Sequence, residues 1–155
     1  MPDAPVDDAP DADRVPDLGG LQVALRRAVQ TTIRAQTEPH GLTVEDFGVL
    51  NALRARGPGS VRQVARALNY DPTRVSRCAF RLTEEGLLNS ERSSQDRRIV
   101  TLSLTDRGEA LVREMNTGVE DAYRQLLVGS TADDIDGFVN TIQRIRTNFQ
   151  SMSSA

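Results

Sequence analysis

Lysine is absent from this 155-residue chain, and all nineteen of its basic residues are arginine. Cysteine and histidine occur once each, as Cys78 and His40. That excludes an internal disulfide and any protein-only metal site of three or four nitrogen and sulfur ligands, so no metal and no cofactor is expected. No apolar run approaches the ~18 residues that suggest a membrane-spanning helix, and the N-terminus lacks the basic-then-apolar pattern of a leader. A cytoplasmic protein with no membrane partner is the expectation. Hydrophobic residues make up 38% and aromatics 4%, low for a self-sufficient globule, which suggests that a partner chain completes some apolar surface. The length suits one domain with a core and is short for two that each bury one.

The net charge of −3 disguises an uneven distribution. Residues 1–17 carry −5 and residues 18–53 are neutral; residues 54–107 carry +5 and residues 108–155 carry −3. A basic block between acidic ends is compatible with a nucleic-acid surface, because local fields rather than whole-chain charge meet a partner. The arginine-only usage suits bidentate contacts to phosphate and guanine; a compositional bias toward arginine would produce it equally well.

The Asp-, Ala- and Pro-rich residues 1–16 lack the apolar side chains needed to offset the entropy of ordering and read as a disordered acidic tail. Leu21, Leu25, Val29 and Ile33 form a helical stripe ending before Pro39. Thr43, with Glu45 and Asp46 behind it, signals the start of a second helix with Phe47, Leu50 and Leu53 inside, stopped by Gly57-Pro58-Gly59. Ser60 caps a short helix with Val61, Val64, Ala65 and Leu68 on one face. After Asn69-Tyr70-Asp71, Asp71 caps another, with Pro72 in the first turn and Val75, Ala79 and Leu82 at helical spacing up to Gly86. Two helices joined by about three residues form a crossed pair.

Beyond Gly86 the period changes. Leu88 to Arg92 and the run Ile99, Val100, Leu102, Leu104 read as two strands around the polar turn Ser93-Ser94-Gln95-Asp96, a wing following a helix-turn-helix. Thr105 caps a long helix with Leu111, Met115, Val119, Ala122 and Leu126 expected on one side. The final helix carries Ile135, Phe138, Ile142, Ile145 and Phe149 at intervals of three and four, an a/d seam that suits pairing with a second chain. The fold class expected is mainly α with a small β-hairpin wing. Residues 17–150 form one winged-helix domain, of which 41–105 bind DNA and 17–40 and 106–150 dimerise, with 151–155 a flexible end.

With Val75, Ala79 and Leu82 turned inward, Thr73, Arg74, Ser76 and Arg77 point outward near the start of the second helix of the pair. This is the end that meets base edges in helix-turn-helix proteins, although an ordinary solvated face would carry the same residue types. Ser60, Arg62, Pro72, Arg81 and Arg92 are further candidate DNA contacts around it. Arg97 and Arg98 at the wing tip are placed to enter a minor groove, with Asp96 pairing to aim an arginine.

These motifs, in order and at their intervals, resemble the MarR family of bacterial regulators. The resemblance covers roughly residues 18–149. It is strongest over Gly41-Leu42-Thr43, the Val61 to Leu82 helix pair, Glu85-Gly86-Leu87, Asp96-Arg97-Arg98 and Leu104-Thr105. It implies a homodimer built from the first and last helices that binds a pseudo-palindromic operator. Pro72, Thr73, Ser76 and Arg77 would lie at the major groove and Arg98, oriented by Asp96, in the minor groove. Tyr70 stands where the family usually has a small aliphatic residue and Arg74 where it often has a small polar one, so the mode of binding transfers and the base preference does not.

Dimerisation is assigned to Leu21, Leu25, Ile135, Phe138, Ile142, Ile145 and Phe149. The resemblance further implies a repressor released by a small aromatic or phenolic acid, for which Arg26, Arg27 and His40, with Arg34, are candidate contacts. A redox response through Cys78, or a DNA binder with no effector, are the alternatives. An enzyme is disfavoured, because no His, Cys and carboxylate constellation, phosphate loop or metal site can be assembled. A protein-binding winged helix would present an apolar helix-turn-helix face, against the arginines found there.

Overall fold

The computed structural model describes residues 16–92 and 100–153. The acidic tail up to residue 15 and the wing tip, with Asp96, Arg97 and Arg98, lie outside the described residues. The order is α1 (Leu18–Thr37), a single 3-10 turn (Glu38–His40), α2 (Val44–Arg56), β1 (Gly59–Ser60), α3 (Val61–Leu68), α4 (Pro72–Glu84), β2 (Leu88–Arg92), β3 (Val100–Leu104), α5 (Asp106–Leu126) and α6 (Ala132–Ser153). The chain divides into two compact units, one up to Val119 and one from Glu120, with the boundary inside α5.

Each of the first four helices starts where a short polar side chain satisfies otherwise orphaned N–H groups. Asp17 accepts from the Gly20 N–H at 3.0 Å. Thr43 and Asp46 form a reciprocal capping box on α2, as Ser60 and Gln63 do on α3. Asp71 accepts from the Thr73 N–H at 2.7 Å, with Pro72 opening α4. Asn69, at φ 52 and ψ 42, closes α3 in a left-handed conformation that asparagine tolerates better than most residues. The Tyr70 N–H then donates to the Ala65 carbonyl at 2.9 Å, which turns the chain into α4.

The core of this unit is apolar. Phe47, Val49, Leu50 and Leu53 of α2 are buried together with Val64 and Ala65 of α3 and Val75, Ala79 and Leu82 of α4. Leu87, Leu88 and Leu102 of the sheet region and Val112, Met115 and Val119 of α5 complete it. At ~25 cal/mol per Å² of apolar surface, this burial is the main force joining helix pair to wing.

Two expectations need correction. The wing is the larger part of a three-stranded antiparallel sheet of order β1-β3-β2, in which Gly59 faces Leu102 and Ser60 faces Thr101. The long helix α5 turns Gly108, Val112, Met115 and Val119 inward, whereas Leu111 is half-buried and Leu126 exposed. The cause of the rotation is the close approach of α5 to Leu87. The Thr105 N–H donates to the Leu87 carbonyl at 3.1 Å, and Thr105 Oγ accepts from the Gly108 N–H at 3.0 Å. A side chain on residue 108 would collide with the Leu87 carbonyl oxygen and come within 3.0 Å of its carbon.

Gly108→Ala should therefore lower stability by about 1–3 kcal/mol, the usual range for overpacking, read from urea midpoints. At Gly137 in α6 a methyl group would meet nothing within 4 Å, and Gly137→Ala should be neutral or stabilise by up to ~1 kcal/mol. Equal effects at the two sites would refute the contact.

Candidate nucleic-acid interface

On a helix of 3.6 residues per turn, Thr73, Ser76, Arg77 and Phe80 share one side of α4. Val75, Cys78, Ala79 and Leu82 share the opposite, buried side. Thr73, Ser76 and Arg77 are exposed as their spacing required, and Arg77 forms no salt bridge among the described residues. The capped N-terminus of α4 adds the favourable end of the helix dipole for a phosphate. Hydrogen bonds from Thr73 hold the Asp71 carboxyl below its ordinary range.

Arg74 and Arg81 are seven residues apart and share a flank of α4 that meets α2. Arg74 pairs with Glu45, and its guanidinium lies over the Tyr70 ring, 4.7 Å from the centroid, a cation–π arrangement. Arg81 pairs with Asp46 and donates to Thr43 Oγ at 3.2 Å. The same Asp46 carboxylate accepts from the Thr43 N–H at 2.8 Å and the Thr43 hydroxyl at 2.7 Å. Both arginines read from the sequence as DNA contacts thus have internal partners, and the tyrosine that departs from the family pattern is the platform for one of them.

Asp46 is fully buried, with the partner Arg81 side chain 44% exposed. Burial alone would raise the Asp46 carboxyl; the hydrogen bonds from Arg81 and Thr43, with the charge of Arg81, outweigh it and hold the group below the ordinary aspartate range. Cys78 lies on the inner side of α4. Its thiol is pushed up to about 11, first by burial and then by Asp46, so it stays protonated near neutral pH, the opposite of a reactive thiol. The structure thus opposes the redox reading of Cys78.

Ser60 is occupied as the cap of α3, receiving the Gln63 N–H at 3.3 Å. Arg62 in the first turn of α3 and Arg92 at the end of β2 are exposed. Phe80, 71% exposed in the middle of the outward face of α4, escapes a search for hydrogen-bond donors, although its position four after Ser76 and three after Arg77 puts it on their face.

The remaining candidates are scattered. Arg26 and Arg27 are exposed on α1, and Arg34 lies 4.0 Å from Glu38. His40 instead lines a cavity of about 410 Å³ with Glu85, Leu87, Arg107, Ala110, Leu111 and Glu114, which neither Arg26 nor Arg27 reaches. In α1, Leu21 and Leu25 are exposed; in α6, Phe138, Ile142, Ile145 and Phe149 are exposed and Ile135 is half-buried.

Residues 42–108, which hold α2 to α4 and the sheet, match a family model described as a winged helix DNA-binding domain. The chain is similar to BpsR of Bordetella bronchiseptica, with 28% identity, a TM-score of 0.72, and coverage of 89% of this chain and 98% of that one. The BpsR structure concerns regulation of DNA binding by 6-hydroxynicotinic acid. The likeness extends to regulators described as MarR family. A MarR-family transcriptional regulator from Rhodococcus sp. RHA1 shares the fold at 24% identity and a TM-score of 0.74, over 83% of this chain and 91% of that one. The HTH-type transcriptional repressor MdtR of Bacillus subtilis (strain 168) is 30% identical over 95 residues. That alignment spans 61% of this chain and 61% of MdtR. Within the matched winged-helix domain, α3 and α4 are the helix-turn-helix pair and the β2–β3 hairpin is the wing.

Removing Arg81 would leave a buried carboxylate without its cation, a loss of about 1–3 kcal/mol for Arg81→Gln, moderated because water reaches the half-exposed site. Because the folded-state carboxyl is held low, its stabilisation is complete above the ordinary aspartate range and disappears as pH falls through the folded-state value. The gap between wild type and variant should therefore be full at pH ~7 and close progressively as pH falls below the ordinary aspartate range. A gap independent of pH in urea titrations would refute the pair.

Proposed function

We propose that the chain is a homodimeric, sequence-specific DNA-binding transcriptional repressor that binds a pseudo-palindromic operator and leaves it when a small aromatic acid binds. The observation that carries the DNA-binding part is the division of labour on α4. Arg74 and Arg81 are paired with α2, whereas Thr73, Ser76 and Arg77 stand outward on a capped N-terminal half. Arginine in that position can grip guanine and serine or threonine can reach several bases, with Arg62 and Ser60 of α3 toward the phosphates. In this reading Arg92 and the wing residues Asp96, Arg97 and Arg98 add contacts beside the major-groove site.

The partner copy is argued from apolar surface. Leu18, Leu21, Val23 and Leu25 are exposed on α1, as are Phe138, Val139, Ile142 and Ile145 on α6, more than a monomer of this size usually leaves in water. A two-fold dimer sets two recognition helices about one DNA turn apart. The effector is argued by analogy with the control of BpsR by 6-hydroxynicotinic acid. Here His40 and Arg107 would face the carboxylate of such a molecule in the cavity they share with Leu87 and Leu111.

Binding to duplex DNA flanking the chain's own gene, followed by fluorescence anisotropy across a salt series, tests the reading. Arg77→Ala should cost about 1–3 kcal/mol and relax sequence preference, whereas Arg62→Ala should weaken all sequences alike and reduce the salt slope by about one. Equal, sequence-independent losses from both would leave only non-specific binding. Sedimentation should give a dimer at micromolar concentration and a monomer for Ile142→Asp; a wild-type monomer would sink the dimer. Failure of aromatic acids such as 6-hydroxynicotinic acid to release the duplex would leave a binder without this effector class.

A further inference from the structure

Among the exposed large apolar residues of the first unit, Phe80 alone sits in the middle of a polar, arginine-bearing face. The others of that unit, Leu18, Leu21, Val23 and Leu25, lie together on α1. Exposing a phenylalanine there forgoes the free energy of burying it. Resting on the DNA-binding reading above, we propose that Phe80 reads the C5-methyl group of a thymine in each operator half-site.

Two observations meet at this residue. Phe80 lies on the same side of α4 as Thr73, Ser76 and Arg77, so whatever covers the ring also covers them. A purely apolar partner would strand the Arg77 guanidinium, which forms no salt bridge among the described residues. A DNA major groove satisfies both, since it offers phosphate and guanine acceptors to the arginine and, at thymine, the only methyl group on its floor, a known partner for phenylalanine.

Position along the axis gives the register. Phe80 stands three residues beyond Arg77 and four beyond Ser76, about 4.5–6 Å at 1.5 Å per residue. This is one to two base steps of ~3.4 Å. The thymine is therefore expected one or two base pairs from the base met by Ser76 and Arg77. Glu84, one turn further on the same side and also exposed, marks the end of the reading face, because its carboxylate repels phosphate. The ring is fixed as a probe by its helix: α4 is held by its buried side and by the Arg74–Glu45 and Arg81–Asp46 pairs, so little ordering entropy remains to be lost on docking.

The test uses the full chain and a duplex selected by the wild-type protein from a randomised pool. Each thymine is replaced singly by deoxyuridine, which keeps every hydrogen-bonding group and removes only the methyl. Wild type should lose roughly three- to tenfold in affinity, the effect of one buried methyl, at one thymine per half-site within two base pairs of a position sensitive to Arg77→Ala. Phe80→Ala should bind the unmodified duplex more weakly by a similar factor and be indifferent to deoxyuridine at that position, while Phe80→Leu should retain part of the discrimination. Because the side chain is exposed, the melting temperature of Phe80→Ala should match wild type, which separates a lost contact from a lost fold. A specific complex in which wild type and Phe80→Ala respond alike to every deoxyuridine overturns the assignment and leaves the DNA-binding reading standing. Failure of the pool to yield any preferred sequence overturns both.

Discussion

The buried carboxylate of Asp46 holds the reading domain in its working geometry. It closes the capping box of α2 through Thr43 and receives the Arg81 guanidinium from α4, so a local device for starting one helix also locks the angle of another. The Glu45–Arg74 pair, backed by the Tyr70 ring, repeats the linkage one position earlier on α2 and two turns earlier on α4. Apolar burial between α2, α3 and α4 supplies most of the free energy, but it is non-directional. A desolvated carboxylate with one well-placed cation gives the packing a preferred rotation, at the cost that neither partner can be lost alone.

These pairs change the meaning of the basic block. Its formal charge of +5 treats all eleven arginines alike, yet two of them neutralise Glu45 and Asp46, and Arg107 donates to the Glu85 carbonyl at 2.6 Å. In the proposed interface, the field offered to DNA would come from a smaller set that includes Arg62, Arg77 and Arg92. Fewer outward cations would weaken sequence-independent attraction to phosphate and leave a larger share of the proposed binding to base contacts, a balance that favours discrimination over affinity.

What is legible in the sequence follows from the range of the interaction. The caps at Thr43, Ser60 and Asp71 act over two or three residues and can be read directly, as can the buried faces of α2 and α4, since periodicity is local. The likeness to MarR-family regulators is legible because several short motifs recur at set intervals. The partners of Arg74 and Arg81 lie 29 and 35 residues away on another helix, so in sequence both arginines look like free outward donors. The two-residue strand β1 has no alternation to detect. The rotation of α5 is decided by the approach of Gly108 to the Leu87 carbonyl, a contact across 21 residues that no helical wheel contains.

The same linkages restrict how such a domain can be switched. With α4 tied to α2 by two ion pairs and by the burial of Val75, Ala79 and Leu82, reshaping the reading helix would mean stripping a buried carboxylate of its cation and opening the core together. Oxidation at Cys78 would have to act there, on a protonated, buried thiol next to Asp46, which places it among inert structural cysteines. In the homodimer proposed above, which would bind two half-sites, the softer variable is the separation of two rigid reading units. A shift in their spacing leaves every contact within a unit intact while breaking register with the DNA turn. An effector needs only a modest difference in affinity between two spacings to displace that equilibrium. A dimeric regulator built this way would keep its base-reading surface constant and vary only where the second copy of that surface stands.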